Sequence, residues 1–254
     1  MSKNNFAIYP SLENKRVLIS GGASGIGAEI VKAFAQQDAK VHFLDRDAEA
    51  SKALVESIGR SNVSFSLVDL CDANLLKEVI TQEVSKNGSF DVLVNNAARD
   101  DRHDWRDVTP EYFDERIATN LRHMFFSAQA VAPGMIEAGG GSIINMGSNS
   151  WWEAGGGFPV YATAKSAVHG LTRTLARDFG GHHIRVNTVV PGWIMTERQK
   201  ELWVTEEAIE KHLNRQCIPE LIEPVYVARM VLFLASDDAR MCTANNYMVE
   251  AGSI

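Results

Sequence analysis

Arg16-Val17-Leu18-Ile19-Ser20-Gly21-Gly22-Ala23-Ser24-Gly25-Ile26-Gly27 is the stretch that decides the fold. It begins as a short apolar run that stops at glycines, the pattern of a buried parallel strand. Ile26, Ile30, Ala33 and Phe34 then recur at helical spacing through Gln37, which predicts a helix with one buried face. A strand, a glycine-rich turn and a helix start, in that order, build an anion site. The backbone can approach a phosphate closely there, and the helix N-terminus offers free N–H groups and a partial positive charge. Ser24 adds a hydroxyl donor. The turn therefore reads as a nucleotide-phosphate cradle.

Outward from the cradle the pattern repeats. A second strand over residues 40–44 ends at Asp45, roughly twenty positions beyond the glycines, where a carboxylate can accept from an adenosine ribose hydroxyl and repel a 2′-phosphate. This favours NAD, while the neighbouring Arg46 keeps NADP open. A third strand, 63–68, runs into Asp69-Leu70; the Asp69 carboxylate is placed either to meet an adenine amino group or to cap the helix beginning near Ala73. A fourth, 91–94, ends in Asn95-Asn96-Ala97-Ala98, where small residues admit a ligand and the amides can tie strands together. A helix after each strand implies right-handed crossovers. The predicted fold is α/β, a doubly wound parallel sheet with helices on both faces, and its ligands lie beyond the strand C-termini. No linker, repeat or low-complexity tract interrupts residues 1–254, which read as one domain.

The second half carries the chemistry. A helix from Pro110 leads to Asn120, and a long helix is expected over 121–138, with Met124, Phe125 and Phe126 as core or subunit interface. The fifth strand, 141–146, delivers Gly147-Ser148, whose hydroxyl can hydrogen-bond a substrate oxygen; no Gly-x-Ser-x-Gly elbow supports a nucleophile. Tyr161-Ala162-Thr163-Ala164-Lys165 reads as one helical turn, with phenol and ammonium on one face. A tyrosine has an ordinary pKa of about 10, and a cation held against it favours the phenolate. Tyr161 is thus a candidate base for an alcohol proton. The sixth strand, 184–190, ends in Pro191-Gly192-Trp193-Ile194-Met195-Thr196. Residues 197–216 look like a helical flap, a common home for substrate selectivity. A helix over 224–234 and a last strand at 247–249 finish the chain. The loop 99–104 carries carboxylates and His103 without a helical His pair, so it reads as a polar substrate rim or a plain solvated loop rather than a metal site.

Composition narrows the partners. The net charge of −7 gives no reason to expect nucleic acid or an anionic membrane. Cys71, Cys217 and Cys242 are odd in number and far apart, which suits a reducing compartment and not a disulfide framework or a zinc site. Residues 1–12 have no apolar signal core, and no run approaches the roughly 18 apolar residues of a spanning helix. A cytoplasmic protein with a small-molecule substrate is expected.

Taken together, Gly21-x-x-x-Gly25-x-Gly27, Asn95-Asn96-Ala97, Asn120, Ser148, Tyr161-x-x-x-Lys165 and Pro191-Gly192 resemble the short-chain dehydrogenase/reductases over nearly the whole length. The resemblance implies a Rossmann-type fold and a catalytic set of Asn120, Ser148, Tyr161 and Lys165. Tyr161 would be the general acid/base, Lys165 would lower its pKa and hold the nicotinamide ribose, and Asn120 would support a relay water. Gly21, Ser24, Gly25, Ile26 and Gly27 would bind the pyrophosphate. Asp45, Arg46, Asp69, Leu70, Asn95, Ala97, Pro191, Gly192, Ile194 and Thr196 would complete the cofactor contacts. A homotetramer is the family's usual assembly. Ser20, Ala98 and Glu250-Ala251-Gly252 depart from the family pattern, and the last bears on C-terminal subunit packing. The strings 7–12, Asp100-Asp101-Arg102-His103, Asn120-Leu121-Arg122-His123-Met124 and Thr196-Glu197-Arg198-Gln199 resemble the sugar 1-dehydrogenases within that family. They imply oxidation of an aldose such as D-xylose, L-arabinose, D-galactose or L-fucose at C1 to the lactone. Ser148, Asn149, Trp151, Tyr161, Trp193 and Gln199 are then candidate substrate contacts, with Trp152, Asp100 and Asp101 nearby. A short-chain oxidoreductase of a keto or hydroxy sugar acid or an acyl substrate is the alternative, and a non-catalytic NAD(H) sensor the remoter one.

Overall fold

The computed structural model describes residues 6–253. Residues 1–5 and Ile254 of the expected domain lie outside the described residues. Seven strands form one parallel sheet in the order β3-β2-β1-β4-β5-β6-β7. They are β1 (Arg16–Ser20), β2 (Lys40–Asp45), β3 (Val63–Leu67), β4 (Val92–Asn95), β5 (Gly141–Met146), β6 (Ile184–Pro191) and β7 (Asn246–Val249). The order reverses between β1 and β4, so the crossovers part there and leave a crevice beyond the strand C-termini.

Helices cover both faces: α1 (Gly25–Gln36), α2 (Ala48–Ile58), α3 (Ala73–Asn87), α4 (Pro110–Ile117), α5 (His123–Glu137), α6 (Pro159–Phe179), α7 (Glu197–Leu202), α8 (Glu206–Leu213) and α9 (Pro224–Ala235). Alternation along the strands feeds two cores. Val17 and Ile19 of β1 join Ile30 and Phe34 of α1 and Val227 and Val231 of α9. Leu18, between them, joins Leu76 and Ile80 of α3, Val131 and Met135 of α5, and Leu175 of α6. Phe34 is fully buried, and its truncation to alanine would cost about 3–5 kcal/mol.

Three local expectations are corrected. Asn120 does not sit between two helices: α4 passes through a π-type turn, Ala118–Arg122, directly into α5, so the expected helix over 121–138 starts later as a regular α-helix. Such wide turns admit one extra residue and are frequent at functional positions. Asp69 does not cap α3. Asp72 does, accepting from the N–H groups of Asn74 and Leu75, while Asp69 accepts from Cys71 N. The flap over 197–216 is two short helices, α7 and α8, because Trp203, Val204 and Thr205 break the helical run and Thr205 caps α8. Among the described residues no helix is long and apolar enough to cross a membrane.

Candidate active site

A cleft of about 960 Å³ opens beyond the C-terminal ends of the paired strands β1 and β4, where the crossovers part, and it runs from the glycine turn to the flap. At one end lies the cradle. Gly21 has φ +67°, and a side chain there would strike Ala97; a Cβ on Gly27 would fall on the Gly21 carbonyl oxygen. Only glycine permits this packing of turn against β4 and α1. Ser24 occupies the N-cap of α1 without capping it, so the first-turn N–H groups and the exposed Ser24 hydroxyl remain available at the cleft. Asp45 braces the turn from the side, its Oδ2 accepting from Ala23 N at 2.9 Å and its Oδ1 from Arg46 N at 2.8 Å and Asp47 N at 3.1 Å. Each carboxylate oxygen has two acceptor positions, so one lone pair, on Oδ2, remains for a ligand hydroxyl. The shape, the open N–H groups and the carboxylate fit a dinucleotide. Arg46, Asp69, Leu70, Ala97, Pro191, Gly192, Ile194 and Thr196 also line the cleft, Thr196 lying against Gly25 of the cradle.

Asn95 and Asn96 divide the labour, because consecutive strand residues face opposite ways. Asn96 lines the cleft and ties Ser20 O and Gly21 O with its amide. Asn95, expected at the cofactor, is instead a buried strut: its Nδ2 donates to Asn145 Oδ1 at 2.8 Å and to Met124 O at 3.3 Å, away from the cleft. Asn120 also lies behind the wall. Its Oδ1 accepts from Arg99 N and its Nδ2 donates to Arg116 O, and Thr119 lines the cleft in its stead.

Ser148, Tyr161 and Lys165 meet at the far end. Ser148, at the end of β5, accepts from Ser150 N and shares a 3.0 Å hydrogen bond with the Ser150 hydroxyl. Tyr161 stands in the first turn of α6, and Lys165, one turn on, is buried and donates to Met146 O at 2.7 Å. The Lys165 Nζ lies 5.8 Å from the Tyr161 ring centre. Burial dominates both groups. It holds the Tyr161 phenol above its ordinary range, with the Asp100 carboxylate adding to the effect; the Ser148 hydroxyl and the Arg102 guanidinium pull the other way. Lys165 is pushed down to about 7 by burial, with Asp100 opposing. Lys165, expected to lower the tyrosine pKa, is not among the groups that shift it here. In the protein by itself each group is driven towards its neutral form, and Ser148 and Arg102 are the groups that favour the phenolate. Behind them His123 is fully buried and pushed down to about 3, so its neutral ring donates from Nε2 to Ala97 O at 3.1 Å.

The outer wall differs most from the sequence reading. Trp151 and Trp152 stack on each other, 3.8 Å between ring centres, outside the cleft lining. The aromatic wall is Trp193, Trp203 and Phe158. Trp193 Nε1 donates to Gln199 Oε1 at 2.9 Å, and Gln199 Nε2 donates to Asp100 Oδ2 at 2.7 Å, so both side chains reach the cleft with their polar groups already paired. Asn149 lines the cleft and donates to Glu153 Oε1 at 2.8 Å. Asp101 lies outside the lining and instead holds Arg116 and Arg198. Glu153, Phe158, Trp203 and His212 went unnoticed in the sequence, because loop and flap geometry brings them in without a local spacing signal. The Asn96 assignment was available from strand alternation.

A family model described as enoyl-(acyl carrier protein) reductase matches residues 21–253. The chain is 49% identical over 248 residues to a D-xylose 1-dehydrogenase of Caulobacter vibrioides, covering 97% of this chain and 98% of that protein. It is 44% identical over 247 residues to a probable galactose dehydrogenase of Rhizobium meliloti, covering 96% of each. A solved short-chain dehydrogenase/reductase of Serratia marcescens superposes with a TM-score of 0.88 at 32% identity, over 96% of this chain and 100% of that one. With the cradle, the Ser148–Tyr161–Lys165 cluster and these full-length matches agreeing, the chain belongs to the short-chain dehydrogenase/reductase family and is a dehydrogenase acting on a CH–OH group.

Proposed function

We propose that this protein oxidises an aldose at C1 to the aldonolactone, with NAD preferred, and that Tyr161 is the general base. The observation that carries the proposal is the convergence of the Tyr161 phenol, the Ser148 hydroxyl and the Lys165 side chain in a cleft whose rim is polar and whose wall is aromatic. Its likeness to proteins named for xylose and galactose supports the sugar class.

Family membership implies a nicotinamide cofactor, which supplies the hydride acceptor when bound. Gly21, Ser24, Gly25, Ile26 and Gly27 would hold its pyrophosphate, Asp45 and Arg46 the adenosine ribose, Asp69 and Leu70 the adenine, and Ala97, Lys165, Pro191, Gly192, Ile194 and Thr196 the nicotinamide half. The Asp45 carboxylate favours NAD. Ser148 donates to the substrate oxygen and orients it against the Tyr161 Oη, which takes the hydroxyl proton as C1 is oxidised. Ser148 and Arg102 favour the phenolate needed for that transfer, and desolvation by the bound sugar strengthens both interactions. Asn120 acts from behind, holding the Arg99 backbone. Half-exposed Phe113 and Phe125, on α4 and α5, suit burial in the family's tetramer, and the cytoplasm is the proposed compartment.

Purified protein with excess NAD and a panel of D-xylose, L-arabinose, D-galactose, D-glucose and L-fucose tests the reading. NADH formation with one or two of them is expected. No NADH with any sugar, nor NADPH when NADP is supplied, would overturn it.

A further inference from the structure

Loop 99–104 touches the π-type turn, the flap and the start of α6. Arg99 N donates to Asn120 Oδ1 at 2.8 Å, Gln199 Nε2 reaches Asp100 at 2.7 Å, and Arg198 Nη2 reaches Asp101 Oδ1 at 2.7 Å. The loop thus joins the π-type turn to the flap. At its far side His103 turns towards α6. Its backbone N–H donates to Gly157 O at 2.8 Å, and its ring Nε2 accepts from Val160 N at 3.3 Å. A peptide N–H can only donate, so Nε2 is bare and Nδ1 carries the proton. The Asp101 carbonyl oxygen and the Tyr112 hydroxyl each lie 3.0 Å from Nδ1, and the Tyr112 ring meets the imidazole edge-on.

The partner of Nε2 gives this bond its meaning. α6 begins at Pro159, which has no N–H, and its N-cap Phe158 supplies no side-chain acceptor. The Val160 N–H is therefore an orphan donor of the first turn. An imidazole from 57 residues upstream satisfies it. Tyr161 follows Val160 directly, so the bond fixes the turn from which the phenol projects.

We propose that His103 is a positioning residue: its neutral imidazole, hydrogen-bonded to the Val160 N–H, aims Tyr161 at the substrate and links that aim to the flap contacts of Asp100 and Asp101. The proposal rests on Tyr161 exchanging a proton with the substrate, and not on which alcohol is oxidised.

The test compares His103→Phe with His103→Gln on the best aldose. Phenylalanine keeps the ring and the edge contact with Tyr112 but has no acceptor. The glutamine amide oxygen can accept from Val160 N, and its NH2 can donate to the Asp101 carbonyl. For His103→Phe, kcat should fall about 10- to 100-fold, because a misplaced reacting group costs that order of rate. NADH affinity should stay within about twofold of the wild type, and the deuterium isotope effect at the reacting carbon should rise. His103→Gln should recover kcat to within about threefold. A purely structural role would lower melting temperature and activity together in both variants and leave the isotope effect unchanged. His103→Phe with kcat within about twofold of wild type would overturn the proposal. So would a His103→Gln variant that binds NADH and melts normally but is more than about tenfold slower; this second comparison holds even if the phenylalanine variant does not fold. Wild-type turnover is measured alongside. Its absence on every aldose counts against the sugar reading, and the variants are then compared in keto-substrate reduction, where Tyr161 gives up its proton.

Discussion

Replacing Lys165 by methionine should make the protein more stable at neutral pH while destroying its activity. Lys165 is 2% exposed, and burial holds its pKa at about 7 instead of 10.5. Between those values the unfolded chain binds a proton that the folded protein does not, so stability rises with pH through that window. Below about pH 7 the full cost of burying the ammonium is present. At about 1.4 kcal/mol per pH unit it is on the order of 5 kcal/mol. Against this stands the 2.7 Å hydrogen bond to Met146 O, a charged bond of about 1.5–3 kcal/mol whose acceptor would be left without a partner. The net expectation is a gain of about 2 kcal/mol for Lys165→Met near pH 6, shrinking towards zero or below near pH 9. Urea unfolding followed by fluorescence of the five tryptophans, at fixed protein concentration, measures both. A variant less stable than wild type near pH 6, or one whose pH slope matches the wild type, would refute the reasoning.

Tyr161→Phe should lower kcat by about 10²–10⁴ while NADH affinity, read by fluorescence titration, stays within about twofold. The phenol is held above its ordinary range, so kcat/KM for oxidation should climb with pH beyond neutrality, while the reverse reduction stays level until the phenol itself ionises; a flat oxidation profile would contradict this. Gly27→Ala puts a methyl on the Gly21 carbonyl and should weaken NADH binding at least about tenfold and lower the melting temperature. Asp45→Asn loosens the bond to Ala23 N and removes the charge that repels a 2′-phosphate. NAD affinity should fall, and the NADP to NAD ratio of kcat/KM should rise by about tenfold or more in steady-state kinetics.

Most of the sheet was legible because its signals are local. β1, the glycine turn and α1 follow from an apolar run, a change of period and the absence of side chains at Gly21 and Gly27. The catalytic cluster was legible for the same reason: Tyr161 and Lys165 share one helical turn, and Ser148 ends a strand. What escaped reading depends on distance in sequence. Trp151 looked like a sugar wall, but the 3₁₀ turn Asn149–Trp151 directs it onto Trp152, and Trp203 takes its place from across the flap. The ionisation of Tyr161 escaped too. A Tyr-x-x-x-Lys spacing gives proximity, whereas the shift is set by packing and by Asp100 from a loop more than fifty residues upstream. The string Asp100-Asp101-Arg102-His103 marked His103 but not its partner, because the donor it satisfies exists only once α6 has started at Pro159.

The most direct measurement follows a deuterium label placed at C1 of the aldose that the protein oxidises best. The label should leave the sugar, appear in the reduced cofactor, and accompany an aldonolactone product by mass spectrometry. A label retained in the sugar, or reduced cofactor formed without loss of C1 deuterium, would mean that oxidation occurs elsewhere and that the anomeric-dehydrogenase account is wrong.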